Sequence, residues 1–578
     1  MPPIPLRVFR SFHAKYYEDD ILTGPDAYPE AYFATLVEHG FNAVWLRGIL
    51  RDLAATDIFP ELGTDIAKHQ DALGTVVERA RRAGVQVLLY LNEPLCLPAD
   101  DLFWAAHPEA RGARGESSMD EWPDTFAFCT SAPEVRAWLR QASENLFRAL
   151  PDLGGWFLIS ASEHHTHCYS HCFDYQDGGR PACPRCSERP PADVVAELIT
   201  DLRDGTKAAA PSAHCIAWNW SWSIYEEDPQ SSLLAQLPKD VAVLFDWERG
   251  ARIVMPTGKP IFVDEYSLSY VGPSRRFRLG LAEARRQELP VMAKLQVGAT
   301  HELATTPNLP LINNLYEKVK TAEELELAGM LATWNFGNAF SLNTAVIGRL
   351  ARTEERPSPG NFVTELAEEY FPGADADEVA SAVEQFSMAM NFFPFDIPIL
   401  YSGPANYALA YPLATAPLTG TPMGRSWTMD ARGDDLSESL NQFNLEEVIE
   451  LLEVVVSEWE AGVSRYTAAL NGCRHPHGAE ELNVARYIGH SFRSMLNVYR
   501  TYRLRRDRPI DLDEQFAAIA EDEIANLEGA LPLLAADPRL GFHAECQACQ
   551  VTPDAVREKL AVLREQCKYG YFLPAFPE

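Results

Sequence analysis

The chain has 578 residues, 47% of them apolar and 11% aromatic, with 50 basic against 82 acidic side chains and a formal charge of −32. That length exceeds one ordinary core, and the apolar content is enough to fill two or three. The acidic excess repels phosphate backbones and anionic lipid surfaces, so neither nucleic acid nor a membrane is an expected partner. The opening Met-Pro-Pro-Ile-Pro-Leu-Arg-Val has no apolar run behind a basic start. No segment reaches the roughly 18 continuous apolar residues of a membrane helix, so a cytoplasmic location is expected. Self-association into a homo-oligomer stays open.

From about residue 7 to residue 345, short apolar runs alternate with segments of helical periodicity, the pattern of repeated βα units. Eight runs stand out: 7–13, 42–47, 86–92, 156–162, 214–220, 241–246, 290–297 and 329–334. Gly40 and Gly84 precede two of them, where a left-handed helix cap is needed. The expected class is α/β: a (β/α)8 TIM barrel over 1–350, followed by a mostly α-helical C-terminal domain. A further run, Ile261-Phe-Val, reads either as an excursion after the sixth strand or as a barrel strand. Residues 351–436 read as a linker or lid packed on the barrel, because 392–427 are rich in Pro, Gly and aromatics. Residues 437–578 carry long amphipathic segments, and their acidic residues suit a solvated helix face.

The residues that close the apolar runs are polar or aromatic: His13, Arg47, Asn92 with Glu93, Glu163, Asn219, Asp246 with Glu248, Glu302, and Trp334 with Asn335. Any one of them could be a helix cap or a solvated group. Their recurrence at one end of the strands points to a shared pocket. Trp218, Trp220 and Trp222 alternate onto one face, and Tyr266 and Trp334 follow. Plain core packing would use aromatics too, but flat rings beside carboxylates suit the CH faces and hydroxyls of a sugar. Glycoside hydrolysis needs two carboxyl groups. Glu163, after the fourth strand, is the expected acid/base, and Glu302, after the seventh, the expected nucleophile. His13, Arg47, Asn92, His164, Trp218, Trp220, Asp246, Tyr266 and Trp334 are the expected substrate-binding residues of a blind pocket for a terminal sugar, which makes a carbohydrate the expected partner.

Between the fourth and fifth strands, Cys168-x3-Cys172 and Cys183-x2-Cys186 supply four thiols at spacings a tetrahedral zinc accepts, with His167 or His171 as substitutes. Four sulfurs leave no open position, so the expected Zn2+ is a structural staple and no catalytic cofactor is expected. The alternative is four free or bridged cysteines. Cys96, Cys129 and Cys215 sit in apolar sequence and read as buried thiols.

The Glu163 and Glu302 placement resembles the strand-four acid/base and strand-seven nucleophile of the barrel glycosidase clan that includes the β-galactosidases. The resemblance implies retention of configuration, with carboxyls about 5 to 5.5 Å apart. In that clan the strand-four motif is Asn-Glu, whereas Ser162 precedes Glu163 here. Ser162-Glu163 and Trp334 also resemble the family 20 β-N-acetylhexosaminidases, which use an adjacent Asp-Glu pair and attack by the substrate's N-acetyl group. The stretches His167-Cys168, Cys183-Pro-Arg-Cys186, residues 266–274, Thr300-His-Glu302 and residues 537–545 are similar to a broad group of barrel proteins described as family 20-like. These resemblances imply a glycoside hydrolase; exo action is expected because the crowded loops after strands four and six, with the aromatic segment 392–427, should close the cleft into a blind pocket. A metal-dependent hydrolase using His13, His164, Asp246 and Glu302 is the rival enzyme class, and a non-catalytic carbohydrate-binding protein is the non-enzymatic one.

Overall fold

The computed structural model describes residues 2–117, 122–170, 180–263, 266–416 and 435–569. Eight parallel strands close into a barrel: β1 (Leu6–Phe9), β2 (Ala43–Gly48), β3 (Gln86–Leu91), β4 (Gly155–Ile159), β5 (His214–Trp218), β6 (Val241–Asp246), β7 (Val291–Lys294) and β8 (Gly329–Leu331). The ring shuts where β8 pairs with β1, Leu331 standing opposite Val8. All eight apolar runs became barrel strands. The run at Ile261 did not: Pro260–Val263 pairs antiparallel with Ala251–Val254 in a hairpin after β6, so it is the excursion.

Strand alternation sorts the side chains into two cores. Leu6, Val8, Ala43, Trp45, Leu88, Tyr90, Phe157, Ile159, Ile216, Trp218, Leu244, Met292 and Leu331 point inward and fill the barrel. Their neighbours, such as Val44, Leu46, Val87, Leu89, Trp156 and Leu158, point outward against the helical ring. That ring includes Ile66–Arg82, Pro133–Ala149, Pro191–Ala209, Arg275–Arg286, Ile312–Glu324 and Leu342–Arg352. Pro133 and Pro191 open their helices, where the missing N–H is no loss, and the Ser274 hydroxyl caps Arg275–Arg286 by accepting from the Phe277 amide. Gly40 has φ +77°, and a Cβ there would stand 2.7 Å from the Gly348 backbone, so only glycine lets this turn pack on the last barrel helix.

The C-terminal region is helical, with Leu445–Ala469, Pro476–Asp507, Leu512–Ala536 and Pro553–Tyr569 as its main members. The stretch expected to be a linker or lid contributes helices of its own, Pro359–Tyr370 and Ala376–Met390. Trp459 is the hub of this layer, stacked on Phe386 at 4.4 Å and edge-on to Phe492 at 5.3 Å. Not every acidic residue here is a solvated one. Glu481 is buried, and its carboxylate accepts from the Leu342 amide at 2.6 Å and from Asn308 Nδ2 at 3.0 Å. It caps the last barrel helix from outside and fastens the two regions together. Of residues 392–427, those up to 416 are described: Asn406 accepts from the Ala304 amide, and the Tyr401 hydroxyl meets His301, both in the loop after β7. Residues 417–427 lie outside the described residues. Among the described residues no helix is long and apolar enough to cross a membrane.

Candidate active site

A pocket of about 360 Å3 opens at the carboxyl ends of the strands. Its floor and walls are aromatic: Tyr16, Tyr90, Trp218, Trp220, Tyr266 and Trp334, with Tyr17 and Ile159 beside them. Trp334, just past β8, stacks on Trp45 at 4.9 Å and stands edge-on to Tyr90 and Trp218. The Trp218 indole is fixed by donating to Asp246 Oδ1 at 3.0 Å. Tyr266 has φ +56°, an uncommon backbone for a bulky residue, and its ring covers the Lys294 ammonium at 3.0 Å from the centroid. The strain aims the ring into the pocket from the loop after β6.

Among the described residues, two carboxyls reach this pocket, Glu163 and Glu545. Glu163 leaves the end of β4 on a loop pinned from several sides. Asn92 Nδ2 lies 3.4 Å from both the Ile159 carbonyl and Ser162 Oγ; the Ser162 hydroxyl accepts from the His164 amide, and the Thr166 hydroxyl donates to the Ser160 carbonyl at 2.7 Å. Burial raises the Glu163 carboxyl above the usual range, while its own backbone amide and the nearby Arg249 guanidinium pull it back.

The expected binding residues divide into two groups. Trp218, Trp220, Tyr266 and Trp334 line the pocket. Arg47, Asn92, His164 and Asp246 stand behind the lining. His164 meets the Tyr16 hydroxyl at 3.4 Å and Arg47 at 3.4 Å, and the Arg47 guanidinium lies 5.2 Å from the Tyr16 ring, so the pair orients Tyr16. His13 is solvent-exposed and does not line the pocket. The three tryptophans do not share one face, because β5 stops at Trp218. Trp222 falls in a 3-10 turn, where its indole donates to Ser160 Oγ at 3.0 Å outside the pocket.

Glu302 is not among the lining residues either. Its carboxylate accepts from the Ser267 hydroxyl at 2.7 Å, the Leu268 amide at 2.9 Å, the Ser269 amide at 3.0 Å, and the hydroxyls of Ser269 and Thr300. Five donors fill the lone pairs of a fully buried group. This is a carboxylate that ties the loop after β6 to the loop after β7. Glu248 is also buried, but only one of its carboxyl oxygens is paired among the described residues, with Lys318 at 2.6 Å.

Sequence reasoning did not find Glu545. It sits near the tip of a small hairpin, Phe542–His543 with Ala548–Cys549, between the last two helices. The last barrel strand ends far upstream at Leu331, so no spacing rule links the two. The one signal is a Gly-Phe-His-Ala-Glu run that interrupts two amphipathic helices.

The cysteine group differs from its expected membership. Cys129, Cys168, Cys183 and Cys186 are buried with their sulfurs within 4.8 Å of one another, and Cys129 lies 3.6 Å from Cys183 and 3.7 Å from Cys186. Cys172 and His171 lie outside the described residues, and His167 faces the Tyr225 hydroxyl at 2.9 Å. Four sulfurs about 2.3 Å from one ion would be about 3.8 Å apart, so this group could hold a metal ion. Cys129 follows the strand Trp122–Phe128, and its apolar neighbours concealed it as a ligand. Gly112, on the paired strand, makes room: a Cβ there would meet Cys168 Sγ at 2.7 Å. The Arg185 guanidinium, 3.1 Å from Cys129 Sγ, favours a thiolate. The group thus joins the hairpin after β3 to the loop that carries Glu163. By contrast, His13, His164, Asp246 and Glu302 form no such cluster among the described residues.

No protein-family model and no curated protein sequence matches the chain. Solved structures do. A GH138 enzyme described as targeting pectin rhamnogalacturonan II aligns over 98% of this chain and 69% of its own at 10% identity, with a TM-score of 0.56. The exo-β-1,4-mannosidase Op5Man5 from Opitutaceae bacterium strain TAV5 aligns over 67% of each chain at 13% identity and TM-score 0.37. A GH5-4 broad specificity endoglucanase from Clostridium acetobutylicum covers 60% of this chain and 96% of its own at 10% identity and TM-score 0.36. The first of these likenesses takes in barrel and helical region together and shows a shared fold. Family 20 membership finds no support in these comparisons.

Proposed function

We propose that the protein is an exo-acting glycoside hydrolase that removes a terminal sugar from an oligosaccharide or glycoside, with Glu163 as one of its catalytic carboxyls. The observation that carries this reading is the small aromatic pocket at the carboxyl ends of the strands, into which a strand-end carboxyl projects with a raised pKa. Rings of this kind pack on the CH faces of a sugar, and a carboxyl in a low-dielectric wall supplies the proton chemistry of glycoside cleavage. A small pocket walled by aromatic rings suits a terminal sugar better than the body of a polymer. The fold shared with an enzyme that targets pectin rhamnogalacturonan II supports a carbohydrate substrate.

In the same reading, Cys129, Cys168, Cys183 and Cys186 hold one Zn2+, which closes the loop bearing Glu163 and takes no part in the chemistry because its coordination is full. A four-thiolate site requires reduced cysteines, which fits a cytoplasmic location.

The test is a panel of chromogenic monosaccharide glycosides, including uronic, deoxy and N-acetylated sugars, followed by product analysis on a chain. Release of single sugars from one end is expected. Internal fragments would overturn the exo reading. Binding without turnover across the panel would make the protein a carbohydrate-binding barrel.

A further inference from the structure

We propose that Glu545, supplied by the helical region, is the second catalytic carboxyl of the pocket and donates the proton to the leaving oxygen, with Glu163 as its ionised partner. This deepens the glycoside hydrolase reading and rests on it.

Glu545 lines the same pocket as Glu163, and the hairpin that bears it is built onto the barrel mouth. The Tyr17 amide donates to Gln547 Oε1 at 2.9 Å, Gln547 Nε2 donates to the Ala14 carbonyl at 3.2 Å, and the Gly541 amide donates to the Thr305 carbonyl at 2.9 Å. Phe542 packs on Phe12, and His543 packs on Phe336. The turn into the hairpin needs glycine: Gly541 has φ +80°, and a Cβ would collide with the Val551 carbonyl at 2.1 Å.

One oxygen of this carboxyl has no structural task that would account for its burial. Glu302 and Glu481 are also buried, and each takes donors on both oxygens. Glu545 is 2% exposed, and its Oε2 has no hydrogen-bond partner among the described residues. An unsatisfied buried oxygen costs about 1–3 kcal/mol, more if charged. Such a group calls for an explanation, and a catalytic role is one.

Depth decides which of the two carries the proton. Glu163 is the more exposed, with Arg249 near it. Glu545 lies deeper. Burial raises it well above the usual range, and the charge on Glu163 raises it further, against the pull of Lys294 and the Trp334 indole. Greater burial and the neighbouring charge thus favour the proton on Glu545 over Glu163. In turnover that proton passes to the glycosidic oxygen, which keeps the electron pair of the breaking bond to the anomeric carbon and departs as an alcohol. Water supplies the oxygen that bonds the anomeric carbon, in one displacement or two, and its released proton restores the carboxyl pair to one proton.

Full-length Glu545→Gln is compared with wild type on two aryl glycosides of whichever sugar the wild type cleaves, one with a 4-methylumbelliferyl and one with a 2,4-dinitrophenyl leaving group. A missing acid harms departure of the poor leaving group most. Turnover should fall at least about 100-fold on the former and less than about tenfold on the latter, with loss of the alkaline limb of the pH profile. Wild-type turnover on both would overturn the role of Glu545 and leave the hydrolase reading standing. An equal loss on both would also overturn it, making Glu545 a structural residue. If the wild type cleaves no glycoside in the panel, the hydrolase reading fails, and this inference fails with it.

Discussion

The loops after β4 and β7 each carry a glutamate just past the end of a barrel strand, and the two have different surroundings. Glu163 faces a cavity with aromatic walls, whereas Glu302 faces five donors and no space. Position at a strand end is thus a necessary condition for a reagent and not a sufficient one. The two differ in what they face, a cavity in one case and a full set of protein donors in the other. Glu93, at the end of β3, is a third case: buried, it accepts from the Leu50 amide at 2.6 Å and the Leu95 amide at 3.3 Å, and burial raises it to about 7.

The strongest way to break this contrast is Glu302→Ala. It orphans the Leu268 and Ser269 amides and three hydroxyls, and should cost roughly 4 kcal/mol of stability. Urea unfolding midpoints read this, and an unchanged midpoint would mean that the loop does not depend on Glu302.

Glu93 sharpens the comparison through pH. Its folded pKa is raised, so its contribution to stability is fully present below about pH 4.5 and is lost as pH rises through about 7. Relative to Glu93→Gln, the wild type should therefore lose about 3 kcal/mol across that window, at about 1.4 kcal/mol per pH unit. Parallel stability curves for the two proteins would count against it.

Glu163→Gln is expected to leave the unfolding midpoint unchanged or slightly raised while turnover falls at least about 100-fold, roughly 2.7 kcal/mol of barrier. A large loss of stability would move Glu163 into the same class as Glu302.

The smallest expected effect belongs to the cysteine group. Cys129→Ser should lower bound zinc, measured by elemental analysis, from one ion per chain, and should lower the melting temperature by a few degrees, at about 2–4 °C per kcal/mol. Full zinc occupancy in that variant would restore Cys172 or a histidine to the ligand set.

The barrel was legible because strand alternation and helical periodicity are local. Val8, Trp45, Tyr90 and Trp218 announce their inward face within a few residues of sequence. Four of the aromatic lining residues were legible for the same reason, since they terminate those strands or follow them. Glu302 was misleading because its donors come from Ser267 to Ser269, a loop whose hydroxyls have no periodic signature. Cys129 and Glu545 were hidden by distance along the chain: one reaches its partners from a hairpin that begins at residue 111, and the other from beyond residue 540. The cysteine group forms where two of the barrel's own loops meet, and the Glu545 wall forms where the helical region docks; both are properties of the tertiary structure alone.

The hairpin on the barrel mouth also bears on the order of synthesis. The eight strands are complete by residue 331, yet the wall bearing Glu545 is translated only after most of the helical region. On the role proposed for Glu545, a nascent barrel emerging from the ribosome would lack that carboxyl until the helical region docks. A laboratory chimera that joins these strands to another helical partner would inherit the aromatic floor and lack the carboxyl of Glu545.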